Sequence, residues 1–269
     1  MSASDAHQDL KAQYGTSSNL DARRYLHERF NTNKNSWVPW LFDRFDLPAR
    51  SSILEVGCGT GYMWEGNCDR IPSGWDITLT DLSPGMLATA AERLSCLKRP
   101  VRLAVADMQA LPFDDASFNC VMAHHMLYHV PDIDKGLSQA VRVLKSGGRL
   151  YAATNGQDHL KELHDVVNTV APDMPYGQQS IIAAFCLENG SAILARHFTD
   201  VKRHDFRDAL EITEVEPVVN YVKSVVSAER YLTPDRIDHL RRIVADEIAY
   251  NGAFRVRRAS GVFSALSAR

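Results

Sequence analysis

A glycine-rich turn after a short apolar run is the segment whose residue types best suit ligand binding. Residues 52–56 read Ser-Ile-Leu-Glu-Val, which is typical of a buried parallel strand, and glycines follow at positions 57, 59 and 61. Glycine permits a sharp turn and a close approach to a ligand, and the helix that follows offers unpaired N–H groups. Tyr62 stands where the dinucleotide fingerprint has its third glycine, and Glu55 lies two residues before the turn. We therefore expect a ligand that carries positive charge rather than an anionic dinucleotide.

Polar side chains that could bind a ligand or act as a base follow three further predicted strands. Asp81 ends the second strand, 24 residues beyond Gly57, which is about the spacing at which an acidic side chain meets the hydroxyls of a ribose. Asp107 follows the third strand, either as a ligand contact or as a helix N-cap. The fourth strand ends in His124 and His125. A histidine titrates near pH ~6.5, so His125, at the strand's end, is the better candidate for a general base.

Other residues that could act as a base are His124, His129, Tyr128 and Tyr14. His129 immediately precedes Val130 and Pro131, and a packed or capping role is expected for it. His125 and His129 are four residues apart, but no carboxylate lies at a spacing that would complete a metal site. The sequence therefore predicts no metal.

The alternation of strand and helix patterns from residue 47 onward predicts a parallel sheet covered by helices on both faces. Ligands bind such sheets at the carboxyl ends of the strands, where the polar residues above lie. In the last predicted strand, Arg255, Arg257 and Arg258 alternate with apolar residues, which indicates a solvated edge rather than an anion site. The strands are predicted at 52–56, 76–80, 101–106, 118–123, 149–154, 201–210 and 253–266.

The overall composition excludes several classes of function. The chain has 269 residues, 45% of them hydrophobic, and a formal net charge of −3, which gives no electrostatic case for nucleic acid. No apolar run approaches the ~20 residues of a membrane span, and residues 1–10 do not resemble a secretion signal. Five scattered cysteines without a Cys-x-x-Cys pair favour a reducing cytoplasm.

Five segments in order resemble the motifs of the class I S-adenosylmethionine-dependent methyltransferases. They are residues 55–61 (Glu-Val-Gly-Cys-Gly-Thr-Gly), 81–87, 106–113, 125–130 and 144–148. The resemblance implies a Rossmann-like, mostly parallel sheet of seven strands whose last strand is antiparallel. It also implies four segments: a helical lid over 1–46, the cofactor-binding half of the core over 47–156, a helical substrate cap over 157–197, and the completion of the core over 198–269.

The resemblance also assigns roles to single residues. The glycine turn would lie against the methionine part of S-adenosylmethionine, Asp81 would bind the ribose hydroxyls, and Leu82 or Met86 would cover the adenine. Asp107 and the Met108 N–H would read the adenine, and the backbone near His124 would face the methionine ammonium. The full set of expected cofactor contacts is Glu55, Gly57, Cys58, Gly59, Asp81, Leu82, Met86, Asp107, Met108, His124 and Arg23.

The acceptor side is expected to involve other parts of the chain. His125, Tyr14 and His124 are the expected catalytic residues, and Tyr14 in the lid is expected to cap the cofactor or substrate. The expected substrate-binding residues are Tyr14, Trp37, Tyr128, Tyr176 and Phe185. After the fourth strand the sequence reads Ala-His-His-Met and lacks the Asp-Pro-Pro-Tyr motif of amino methyltransferases, which argues against nucleobase N-methylation.

The resulting hypothesis is methyl transfer from S-adenosylmethionine to O, N or C of a small organic acceptor in a biosynthetic, natural-product pathway. Two alternatives stay open: an RNA or protein methyltransferase, and a protein that binds S-adenosylmethionine without transferring its methyl group. The sequence leaves the acceptor and the oligomeric state open, a dimer included.

Overall fold

A computed structural model describes residues 25–97, 99–174, 179–225 and 228–267. Tyr14, Arg23 and Tyr176, which the sequence singles out, lie outside the described residues.

The central element is a seven-stranded sheet with the strand order β3-β2-β1-β4-β5-β7-β6. The pairs formed by β1 with β2 and β4, β2 with β3, and β4 with β5 are parallel, whereas β7 runs antiparallel to β5. This is the predicted fold class, and the prediction is confirmed. The strands are β1 (Arg50–Val56), β2 (Gly74–Asp81), β3 (Arg102–Val105), β4 (Phe118–His124), β5 (Leu144–Asn155), β6 (Phe198–Ile212) and β7 (Phe254–Ser267).

Helices connect the strands, and several begin at caps that are visible in the sequence. The Ser83 hydroxyl accepts a hydrogen bond from the Met86 N–H, and Pro84 occupies the first position of its helix. Residues 25–30 are also helical. The helices are α1 (Trp37–Phe42), α2 (Tyr62–Glu65), α3 (Pro84–Arg93), α4 (Ile133–Val143), α5 (Lys161–Val170), α6 (Gln179–Ile182), α7 (Gly190–Leu194), α8 (Val215–Lys223), α9 (Ala228–Tyr231) and α10 (Pro234–Asn251).

The largest difference between a predicted and an observed strand boundary concerns the fifth strand. It was predicted at 149–154, but β5 begins at Leu144, directly after α4 ends at Val143. Leu144 pairs with Phe118, and the register then shifts before Arg149 pairs with Cys120. Gly147 absorbs this irregularity at φ +69°, a conformation that glycine adopts without steric cost.

Alternate residues of the parallel strands enter two cores on opposite faces of the sheet. On one face, Leu54 and Val121 pack with α4. On the other face, Ile53 and Met122 pack with residues of α1, α2 and α3. Such continuous burial of both strand faces requires apolar residues at nearly every position, which explains the run in residues 53–56.

Contacts along the chain group it into two units. The first, called the sheet unit, comprises Trp37–Gln157, Gln179–Phe206 and Ser260–Arg269, and it contains the glycine turn. The second, called the helical unit, comprises Met1–Ser36, Asp158–Gln178 and Arg207–Ala259. The predicted substrate-cap segment 157–197 is therefore divided between the two units.

The helical unit contains an ion pair that contradicts the predicted solvated edge at one position. Arg257 and Arg255 form exposed pairs with carboxylates, as expected. Arg258, however, donates to Asp208 at 2.5 Å, and the two side chains are only 10% and 0% exposed. Asp208 also accepts from the N–H groups of Thr32 and Asn33. Arg258 is therefore an interior residue, and its burial lowers its pKa.

No helix among the described residues is long and apolar enough to cross a membrane.

Candidate functional site

The glycine turn between β1 and α2 has the backbone conformation for which its glycines were singled out. Gly57, Gly59 and Gly61 have φ angles of +66°, +55° and +73°. The turn is anchored to the neighbouring strand, because the Cys58 N–H donates to the Thr80 carbonyl at 2.9 Å. Side chains with a Cβ are strained in this conformation, so the spacing of the three glycines has a direct structural cause.

The two sides of the turn differ in the space that they leave. A Cβ added to Gly57 would lie 2.9 Å from both Cβ and Cγ of Met126, so this glycine is closed in by the protein. A Cβ added to Gly59 would meet nothing within 4 Å. The turn is therefore open at Gly59, and a ligand can approach the backbone there.

Asp81, at the end of β2, faces this open part of the turn. Its Oδ2 accepts from the Gly59 N–H at 2.9 Å, and its Oδ1 accepts from the Ser83 N–H at 2.8 Å. Burial raises the pKa of Asp81, and the backbone hydrogen bonds oppose that rise. Each carboxylate oxygen keeps a second lone pair, so Asp81 can accept further hydrogen bonds from a pair of hydroxyls.

The apolar residues expected to cover a ligand's base lie next to Asp81. Leu82 is 46% exposed, so its side chain is accessible to a ligand. Met86 is buried in α3 at 6% exposure. Of the two, Leu82 is the one positioned to offer an open apolar face.

Asp107 has the helix-capping role that the sequence offered as one alternative. Its side chain accepts from the Gln109 N–H at 2.8 Å and begins a short 3-10 helix at Met108–Ala110. Because Asp81 pairs with Val105 in the sheet register, Asp107 lies at the same edge of the sheet as Asp81. Met108 is buried, with 2% exposure, and its backbone N–H is at the start of the helical turn.

Glu55 lies beneath the turn and is almost completely buried, with 2% exposure. Its Oε2 accepts from Trp64 Nε1 at 2.5 Å, and its Oε1 lies 2.8 Å from His124 Nδ1. The ring of Phe45 stacks on His124, with centroids 5.8 Å apart and planes inclined by 14°. The structure thus joins two residues that the sequence proposed separately, Glu55 and His124.

His125 has an unusual backbone for a residue with a side chain, with φ +54°. Its N–H donates to the Ala153 carbonyl at 2.8 Å, and its ring lies 5.4 Å from the ring of Trp37. Trp37 in turn stacks on Trp40 and contacts Phe206 edge-on. Two residues proposed for the acceptor side, His125 and Trp37, are therefore in contact at the end of β4.

Cysteine and metal chemistry receive no support from the described residues. Burial, reinforced by the charges of Glu55 and Asp81, raises the pKa of the Cys58 thiol far above its usual value, which removes it as a nucleophile. Among residues 25–97, 99–174, 179–225 and 228–267, no three His, Cys, Asp or Glu side chains are grouped as metal ligands would be.

The segment that contains this site is similar to known proteins. Residues 54–152 match a family model described as a methyltransferase domain. A putative methyltransferase from Bacillus halodurans has the same fold, with a TM-score of 0.56 at 17% identity over 86% of this chain and 99% of that one. Residues 54–152 therefore carry a methyltransferase domain, and the comparisons support a class I S-adenosylmethionine-dependent methyltransferase.

Two curated relatives illustrate the range of similarity. The chain is 28% identical to a malonyl-[acyl-carrier protein] O-methyltransferase of Acetivibrio thermocellus, over 69% of this chain and 67% of that protein. It is 30% identical to the ubiquinone/menaquinone biosynthesis C-methyltransferase UbiE of Idiomarina loihiensis, over 42% of this chain and 46% of that protein. The match spans only 24% to 52% of the length of other curated relatives.

Within this methyltransferase fold, two residues proposed for the substrate pocket lie in the protein interior. Phe185 is fully buried with its ring against Phe263, so its observed contacts are those of a core residue. Tyr128 is 8% exposed, and its ring contacts His129. His129 is packed as expected, and burial lowers its pKa to about 4. Both assignments to the substrate pocket stay predictions, and the packing of Phe185 argues against one of them.

Three residues that shape the site escaped the sequence analysis: Trp64, Phe45 and Met126. Each acts through its position in space rather than through a local motif. Trp64 alone carried a usable signal, since an indole N–H within a buried helix needs an acceptor, and Glu55 is a nearby carboxylate.

Proposed function

We propose that this chain is an S-adenosylmethionine-dependent methyltransferase that acts on a small organic acceptor. The observation that carries the proposal is Asp81, a half-buried carboxylate fixed by the N–H groups of Gly59 and Ser83 at the open side of the turn. A carboxylate held in this way suits the two hydroxyls of a ribose, and it has no role in anchoring a phosphate. The methyltransferases that the chain resembles use a cofactor with such a ribose.

The cofactor supplies a methyl group bonded to a positively charged sulfur, and the protein has to hold it and the acceptor in line. The open side of Gly59 admits the methionine part, and Leu82 offers an apolar face for the adenine. The negative charges of Glu55 and Asp81 favour a cationic ligand. Holding the attacking atom ~3 Å from the methyl carbon accounts for most of the rate enhancement in such a displacement.

We infer that the acceptor approaches at the end of β4, where His125 and Trp37 are in contact. His125 can take a proton from an acceptor whose attacking hydroxyl or amine must lose one. The strained backbone of His125 supports this role, since such conformations concentrate at functional sites. Tyr14 and Arg23 remain proposals for the lid and the cofactor, and Tyr176 remains a proposal for the substrate pocket.

The names of similar proteins leave the acceptor atom open. The relatives above act at oxygen and at carbon, and a phosphoethanolamine N-methyltransferase of Haemonchus contortus shares the fold at a TM-score of 0.60 and 20% identity. We propose a biosynthetic role because of the names of two of these relatives. One is named for ubiquinone and menaquinone biosynthesis, and the other is named for a malonyl group on an acyl-carrier protein. All five cysteines are free, which supports a reducing compartment such as the cytoplasm.

The test is product analysis by mass spectrometry after incubation with S-adenosylmethionine and a panel of small acids, phenols and amines. The proposal predicts S-adenosylhomocysteine together with an acceptor that is heavier by one methylene. Methylthioadenosine would instead indicate attack at another carbon of the cofactor. Cofactor binding without turnover on any acceptor would indicate a protein that does not transfer the methyl group. Binding to RNA that weakens steeply with salt would support the nucleic-acid alternative.

A further inference from the structure

The buried Glu55 carboxylate has both of its oxygens engaged by the protein itself. Trp64 Nε1 donates to Oε2 at 2.5 Å, and His124 Nδ1 lies 2.8 Å from Oε1. A carboxylate only accepts hydrogen bonds, so the Nδ1 atom is the donor. The side chains of Glu55 and His124 are 3% and 7% exposed, so the pair lies within the protein rather than at an open surface.

These two hydrogen bonds connect three elements that surround the glycine turn. Glu55 lies two residues before Gly57, and Trp64 lies three residues after Gly61, so the first bond joins the entrance of the turn to its exit. The second bond joins β1 to the end of β4 through His124. We call Glu55, Trp64 and His124 the turn clamp.

Apart from the bond to Glu55, the surroundings of His124 among the described residues provide its ring with packing contacts. Phe45 covers one face of the imidazole ring. Nε2 is buried, and no hydrogen-bond partner for it lies among the described residues. The hydrogen bonding of this ring therefore rests on the bond from Nδ1 to Glu55.

We propose that His124 is a positioning residue of the cofactor site: it holds Glu55 in the turn clamp and thereby keeps the glycine turn in its binding conformation. This inference rests on the proposed function. It differs from the roles that the sequence suggested for His124, which were direct cofactor contact and catalysis. Its consequence is that His124 governs cofactor affinity and leaves the chemical step unchanged.

The physical reason is preorganisation. Three glycines with positive φ give the turn many accessible conformations in the absence of restraint. Without the clamp, binding must order the turn at the expense of affinity. Once the cofactor is bound, the turn is ordered in either case, so turnover at saturation is unaffected.

The test compares two substitutions that differ in where they place a donor. His124→Asn carries an amide nitrogen near the position of Nδ1 and can keep the bond to Glu55, whereas His124→Gln places its amide nitrogen near Nε2. Calorimetry with S-adenosylhomocysteine should show binding about tenfold weaker for His124→Gln and near wild type for His124→Asn. Trp64→Phe, which removes the other donor, should resemble His124→Gln.

A matched control is His197→Ala, which removes a similar bond from a histidine to a carboxylate, Nε2 to Asp134 Oδ1 at 2.7 Å, on the surface. It should leave binding unchanged. With an acceptor in hand, His124→Gln should raise KM for S-adenosylmethionine and leave kcat near wild type.

Hydrogen exchange gives a readout that does not depend on the cofactor. The amides of residues 57–64 should exchange faster in His124→Gln than in wild type or His124→Asn. Equal affinity and equal exchange in all three proteins would overturn the inference, and so would equal weakening by both substitutions. Weaker binding by His124→Asn with near wild-type binding by His124→Gln would also overturn it, because that pattern would indicate a contact through Nε2. If the wild-type protein binds no S-adenosylhomocysteine while the exchange pattern holds, the proposed function fails and the clamp stands.

Discussion

Three glycines with positive φ allow the open side of the turn to be tested by adding a single methyl group. Gly57, Gly59 and Gly147 have φ angles of +66°, +55° and +69°, so alanine at each position carries the same backbone strain of about 1–2 kcal/mol. The surroundings differ. The new Cβ would lie 2.9 Å from Met126 at position 57, and it would meet nothing within 4 Å at positions 59 and 147.

The two effects separate in two assays. In urea unfolding, Gly59→Ala and Gly147→Ala should lose only the strain energy, and Gly57→Ala should lose about 1–3 kcal/mol more because Met126 must move. In calorimetry with S-adenosylhomocysteine, Gly147→Ala should bind as wild type does, because it lies in β5 away from the turn. Gly59→Ala should bind at least about tenfold more weakly, since its methyl group occupies space that the proposal gives to the ligand.

The reasoning would be refuted if Gly59→Ala bound S-adenosylhomocysteine as tightly as Gly147→Ala does. It would also be refuted if Gly57→Ala were no less stable than the other two variants, because the close contact with Met126 would then have no energetic cost.

Two further predictions concern residues outside the turn. Arg258→Ala should destabilise the protein by about 3 kcal/mol, because it leaves a buried carboxylate without its cationic partner. Arg257→Ala, which removes an exposed ion pair, should cost less than about 1 kcal/mol. Equal unfolding midpoints in urea would contradict this. His129 has a pKa lowered from 6.5 to about 4, so it binds a proton more readily in the unfolded protein. Its contribution to the free energy of unfolding is therefore complete above pH 6.5 and is lost as the pH falls toward 4. At about 1.4 kcal/mol per pH unit the loss is at most about 3.5 kcal/mol. A His129→Asn variant that kept the full pH dependence of unfolding would exclude this cause.

Most of the fold could be predicted from the sequence because the central strands of the sheet are recognisable from their local residue pattern. Strands buried on both faces need mostly apolar residues, so the strands predicted at 52–56 and 118–123 lie within the observed β1 and β4. The glycine turn was equally visible, since only glycine adopts its conformation cheaply.

The site was less predictable where its members meet through the tertiary structure. The bonds of Glu55 to Trp64 and His124 join residues that are 9 and 69 positions apart, and no local pattern encodes the second. Arg258 is indistinguishable in sequence from its exposed neighbour Arg257, because alternation in a strand identifies a face but not what covers it. Its buried partner, Asp208, lies 50 residues away.

The most direct test of the account is the binding of S-adenosylhomocysteine to an Asp81→Asn variant, with Asp76→Asn as control. Asp76 lies at the other end of the same strand in an exposed pair with Arg102. The account predicts measurable binding by wild type and by Asp76→Asn, and binding at least about tenfold weaker by Asp81→Asn, since an amide nitrogen cannot accept hydrogen bonds from the ribose or from the turn. Equal affinity of all three proteins, or no binding by the wild type, would contradict it.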